Sequence, residues 1–171
     1  MQGRGVLIDL HAIHGDGKVD VGFAELEAAM QAQSVTVERG DMVCFHTGFA
    51  RKVMAMNRQP SKEVLHGSCA ALDGRDPKLQ EWVHDSGVAV LIADNYAVER
   101  FPSRSIEGRH ALLPLHELCL FKLGIHLGEL WYLSELADYL RAAGRSRFLL
   151  TAPPLRLPGA VGSPVTAIAT V

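Results

Sequence analysis

The sequence predicts an α/β fold, a mixed β-sheet with flanking helices, and three observations predict it. GVLIDL (5–10) and VAVLIAD (88–94) are short apolar runs bounded by glycine or polar residues, as in strands buried on both faces. DPKLQEWVHDSG carries a full set of helix signals, with Asp76 as cap, Pro77 at the first position and Gly87 after the end. Strand and helix patterns alternate along the chain without an internal repeat or a linker, so residues 1–171 are expected to form one domain.

Taken in order, GVLIDL is a buried strand and HGDGKVD a loop. Asp20 can cap a helix over 22–33, in which Phe23, Leu26, Ala29 and Met30 share a face. RGDMVCFHTG gives a turn and a strand over 42–46, closed by Gly48. Residues 51–74 mix basic, small and breaker residues and read as a long loop with a helical turn. After the Asp76 helix and the strand over 88–94, RFPSRSIEGRH is a loop. Residues 112–123 form a helix that is apolar nearly all round, which predicts burial, with Gly124 at its C-terminal glycine position. IHLGELWYL is a short strand leading into the helix SELADYLRAAG, capped by Ser134 and stopped by Gly144. RFLLTAPPL and VTAIATV are two final strands around the Pro/Gly-rich turn LPGAVGSP.

Composition narrows the function. Apolar residues make up 48% and charged residues 21%, which suits a globular chain and argues against disorder. A net charge of -2 with scattered basic residues leaves no footprint for nucleic acid or an anionic membrane. No apolar run is long enough to span a bilayer. Three cysteines without a CxxC pair, two of them in apolar runs, point to buried free thiols and a reducing, cytoplasmic setting. G-x-S-x-G and G-x-G-x-x-G are both absent, which sets aside a serine elbow and a dinucleotide loop.

Two places carry chemistry. DNYAVE (94–99) follows a central strand at its C-terminal end, where α/β sheets bind ligands, so Asp94 and Asn95 are candidate substrate-binding residues; a plain strand-end turn is the alternative. PLHELCLFKLGIHLGELW (114–131) sets His116 on an apolar helix and Glu129 beyond it. One reading makes His116 a core histidine bonded to a carbonyl, and Glu129 a cap or an arginine partner. The other reading is half of a metal site.

RGVLIDL, PLHELCLFKLGIHLGELW and, above all, LLTAPPLRLPGAVGSPVTAIATV together resemble the cyclase family. Those metal-dependent hydrolases include bacterial kynurenine formamidase and isatin hydrolase. GDMVCFHTG and VAVLIADNYAVE fit the same family's middle strands, so the resemblance covers most of the chain. It implies a swivelling β/β/α domain, a Zn²⁺ or Mn²⁺ cofactor, and attack of metal-bound water on an amide or lactam carbonyl. His116 and Glu129 match two of the family's metal ligands.

The family's H-x-G-T-H-x-D-x-P-x-H motif lies upstream of the RGVLIDL-like strand and does not occur in these 171 residues. The expectation is therefore an N-terminally truncated cyclase, its C-terminal part only. A catalytic metal site takes three protein ligands and an open position, and two are in hand. Weak or no hydrolase activity follows, with zinc or manganese bound if a third ligand is supplied and no metal if it is not. A rival reading is a catalytically silent module that binds a small molecule or serves assembly. HAIHGD offers His11, His14 and Asp16 as substitutes, but the family has a variable loop there and no carry-over supports them. His126 reads as a half-exposed strand histidine, and His110 as a loop residue that could approach the site. Uncovered sheet edges and apolar surface predict a homo-oligomer, a dimer or larger.

Overall fold

The computed structural model describes all of residues 1–171. The chain runs β1 (Gln2–Asp9), α1 (Leu10–His14), β2 (Asp20–Val21), α2 (Phe23–Ala32), β3 (Met42–His46), α3 (Phe49–Ala55), α4 (Lys62–Gly67), β4 (Ala71–Leu72), α5 (Pro77–Ser86) and β5 (Val90–Ala93). It continues through α6 (Pro114–His116), a π-helical segment (Glu117–Leu123), β6 (His126–Gly128), α7 (Ser134–Ala142), β7 (Arg147–Thr151) and β8 (Ile168–Thr170). Six strands form one sheet in the order β6-β5-β3-β1-β7-β8, and β2 pairs with β4 beside it. β1, β3, β5 and β6 are parallel, while β7 runs antiparallel to β1 and β8 antiparallel to β7.

Strand alternation builds a core on each face of this sheet. Val6 and Ile8, Val43 and Phe45, and Leu91 and Ala93 enter the larger core, with Leu26 of α2, Leu79 and Val83 of α5, and Leu115 and Cys119. Leu7, Met42, Cys44, Val90 and Ile92 point the other way, onto Leu133, Ala137 and Leu140 at α7 and Phe148 and Leu150 of β7. Both faces of the parallel strands are thus covered, as their unbroken apolar runs require. α5 starts and stops on its predicted signals: the Asp76 side chain accepts from Lys78 N at 2.9 Å, and Gly87 ends it at φ 66°.

Several readings differ from expectation. Asp20 does not cap α2: it lies in β2 and pairs with Arg100, and Asp76 Oδ2 accepts from Phe23 N at 2.6 Å instead. Leu10 does not end the first strand and His14 does not open the loop, since Leu10–His14 form α1: Asp9 ends β1 and caps α1, accepting from Ala12 N at 3.0 Å. Residues 51–74 hold most of α3, all of α4 and β4, rather than one helical turn. Ser134 begins α7 without capping it; its hydroxyl is 3.2 Å from His46 Nε2 instead. The apolar segment after His116 is not wholly buried, since Leu120 is 51% and Phe121 84% exposed. A π turn is wider than an α turn and re-aims the side chains that follow, so Cys119 enters the core with Leu118 packed against it, while Leu120 and Phe121 face out.

Candidate metal half-site

The C-terminal ends of the parallel strands bring the polar residues together. Register pairs Asp9 of β1 with His46 of β3, Phe45 with Ala93, and Ile92 of β5 with Gly128 of β6. Asp94, Asn95 and Glu129 follow directly on β5 and β6, on the edge where open α/β sheets place ligands.

His116 stands between two carboxylates. Its Nε2 is 2.9 Å from Glu129 Oε1, and its Nδ1 is 3.0 Å from Glu99 Oε1. The side chain of Glu99 is fully buried, that of Glu129 is 38% exposed, and that of His116 is 23% exposed. Glu99 also accepts from Leu115 N through Oε2 and from His116 N through Oε1, both at 3.0 Å. The hydrogen bond to Glu129, and next the one to Glu99, raise the imidazole from 6.5 to about 9 against the opposing effect of burial. Below that value the ring donates a proton to each carboxylate, and a divalent cation at Nε2 would take one proton's place.

The backbone before Glu99 is unusual. Ala97 and Val98 have φ of 111° and 60°, a region that costs about 1–3 kcal/mol for a non-glycine residue. Gly74 packs directly on the carboxylate: a Cβ there would lie 1.9 Å from Glu99 Oε2.

His116 and Glu129 are therefore brought into contact, as two adjacent ligands would be. One imidazole nitrogen and one carboxylate oxygen suit Zn²⁺ or Mn²⁺, and would fill two corners of a site. No group of three metal-ligating side chains that could hold an ion forms within the chain. His11, His14 and Asp16 do not converge: His11 Nε2 is 3.0 Å from Asp16 Oδ1, Lys52 also pairs with Asp16, and buried His14 Nε2 has no partner. His126 is exposed on β6, and His110 bonds the Gly108 carbonyl.

Asp94 is fully buried, and its carboxylate accepts from Thr47 N, Thr47 Oγ1 and Gly48 N at 2.7, 2.7 and 2.9 Å. Asn95 is also buried, and its Oδ1 has no hydrogen-bond partner. Glu99 was not singled out in the sequence. It sits in the same DNYAVE run, but only the fold reveals that it faces His116, 17 residues on.

A second array lies deeper. Asp9 Oδ1 is 2.8 Å from His46 Nδ1, whose Nε2 meets Ser134, and Arg141 reaches Asp9 Oδ2 at 2.6 Å. The order Asp–His–Ser matches a hydrolase triad, but Ser134 is 0% exposed and lines neither large cavity, so no carbonyl can reach it. The array is a buried tie between β1, β3 and α7. All three cysteines are free and buried, and burial pushes the Cys44 thiol up to about 12.

Beside Glu129 opens a cleft of about 660 Å³ between α7, β7 and the C-terminal arm, residues 152–171. Leu127, Trp131, Leu133, Phe148 and Leu150 line it, with Glu129 the carboxylate at its wall.

Comparison with known proteins places this architecture. No curated protein matches the chain. A crystal structure of a novel cyclase shares 32% identity and a TM-score of 0.82, covering 100% of this chain and 54% of that one. An isatin hydrolase bound to the product analogue thioisatinate aligns at 15% identity and TM-score 0.70, over 99% of this chain and 60% of that one. A potential metal-dependent hydrolase with cyclase activity aligns at 17% and 0.60, over 98% of this chain and 64% of that one. The chain thus spans between 54% and 64% of the length of these structures. At their low identities the last two show a shared fold, a mixed sheet with flanking helices. The family model for Cyclase matches residues 1–100. The chain belongs to the cyclase family.

Proposed function

We propose that His116 and Glu129 are two ligands of a divalent-metal site of a cyclase-family amide hydrolase, and that these 171 residues alone have weak or no hydrolase activity. The observation that carries this reading is the 2.9 Å approach of His116 Nε2 to Glu129 Oε1 at the carboxyl edge of the sheet. Bound there, Zn²⁺ or Mn²⁺ would supply Lewis acidity toward an amide carbonyl. The chain's own part is to hold an imidazole and a carboxylate in place and to offer an aromatic-lined cleft to an aryl formamide or cyclic amide, the substrate class of kynurenine formamidase and isatin hydrolase. Asn95 joins the reading as a buried amide with an open acceptor at the end of β5, outside the aromatic-lined cleft, and Asp94 as the residue that fixes that strand end. The third ligand comes from a partner chain or from cyclase sequence beyond these residues. Three free, buried cysteines support a reducing, cytoplasmic setting.

Calorimetric titration of the untagged chain with Zn²⁺ tests the site. Weak uptake that falls at least tenfold in His116→Ala is expected, with little turnover of an N-formyl arylamine at saturating metal. Uptake indifferent to His116→Ala would overturn the assignment.

The apolar cleft also fits the rival reading, a silent binding module, and binding of an aryl amide without turnover under any metal load would favour it. In either case we propose self-association. β8 is an edge strand, and Leu155, Leu157, Val161 and Ile168 of the C-terminal arm are exposed. Light scattering after size exclusion should give a dimer or larger; a monomer at micromolar concentration sinks this.

A further inference from the structure

We propose that Glu99 is a positioning residue, which locks the His116 ring with its proton on Nδ1 and presents Nε2 to the metal, and that Gly74 keeps the space Glu99 occupies. This rests on the metal reading above and goes beyond it, since neither residue would touch the ion.

Three features of the geometry carry it. Both Glu99 oxygens are committed as acceptors, Oε2 to Leu115 N and Oε1 to His116 N and Nδ1. A carboxylate in that role can only receive, so the hydrogen between it and the ring belongs to Nδ1, and Nε2 is the one nitrogen left for a metal. Next, Glu99 is rigidly placed: it is fully buried, it follows the left-handed Ala97–Val98 pair, and its two backbone bonds tie it to the turn that carries His116. Finally, the room is tailored, because any side chain at position 74 would put its Cβ 1.9 Å from Oε2.

Substitution follows from the same geometry. In Glu99→Gln the amide NH₂ must face either a backbone N–H or the imidazole N–H, donor against donor, whichever way it is turned. Gly74→Ala displaces the same carboxylate without altering it. Glu117→Gln is the control, an exposed glutamate one residue past His116 that pairs with Lys122.

The experiment is Zn²⁺ affinity by competition with a chromophoric chelator, on the full chain and each variant, with circular dichroism to confirm folding. Glu99→Gln and Gly74→Ala should each lose about 10–100-fold in affinity, with Glu117→Gln unchanged. The wild-type protein gives a second readout that needs no variant: long-range ¹H–¹⁵N correlation of the Zn²⁺-loaded chain should show metal on His116 Nε2 and a proton on Nδ1. Wild-type affinity in folded Glu99→Gln, or zinc on Nδ1, overturns the proposal while leaving the metal reading intact. Zinc uptake unaffected by His116→Ala removes the metal reading, and the role of Glu99 falls with it.

Discussion

Asp94→Ala should destabilise the protein by about 3–5 kcal/mol, a large part of the 5–15 kcal/mol typical of a small domain. The carboxylate is fully buried and receives two backbone N–H groups and one hydroxyl from Thr47 and Gly48. Alanine leaves both N–H groups buried without an acceptor, at about 1–3 kcal/mol each, and adds a small cavity. The damage spreads because Thr47–Gly48 is the turn from β3 into α3, and Gly48 has φ 82° with the His11 ring packed on its open side. Asp94→Asn keeps the shape and the bonds to one oxygen but turns an NH₂ on an N–H, so about half the loss is expected. Urea denaturation measures both. A midpoint unchanged in Asp94→Ala would mean that the carboxylate does not hold this turn.

The second large effect is at Asp9. Burial opposes its ionisation, yet the His46 hydrogen bond, with help from Ala12 N and Arg141, holds the carboxyl below its ordinary 3.8. A depressed folded-state value contributes stability that is present above the unfolded value and is lost as pH falls through the folded one. The protein should therefore lose stability as pH drops below about 4. Asp9→Asn should flatten that part of the profile. At pH 7 the same variant should cost about 2–4 kcal/mol, since it replaces a buried carboxylate that accepts hydrogen bonds from the His46 ring and from Ala12 N. Melting curves from pH 3 to 7 decide: parallel profiles for the two proteins would show that Asp9 gains nothing from His46.

Much of the fold was legible because its central strands are short, apolar and bounded. MVCFH and VAVLIAD could be read directly, as could α5 with its cap, proline and glycine. What escaped was whatever depends on a partner distant in sequence. HAIH carries no helix signal of its own; α1 exists because Asp9 at the end of β1 caps it. Ser134 looks like a cap, yet its hydroxyl meets a histidine 88 residues away. At the site, His116 and Glu129 could be named from the family pattern, but Glu99 could not. A glutamate after two ordinary residues gives no local hint that those residues adopt a left-handed backbone, or that a glycine 25 positions earlier leaves it room.

The π segment after His116 bears on how the sequence can change. In evolutionary terms a π turn is an α-helix that has accepted one extra residue, and deleting one from 117–123 would let the backbone relax into ordinary helix. The cost would be borne downstream: each residue advances a helix by about 100°, so the exit at Gly124 would swing by about that angle. β6 would then leave its register on β5, carrying Glu129 away from His116. Insertions and deletions should thus be tolerated in the exposed arm around 155–163 and selected against in these seven residues, whose length sets the distance between His116 and Glu129.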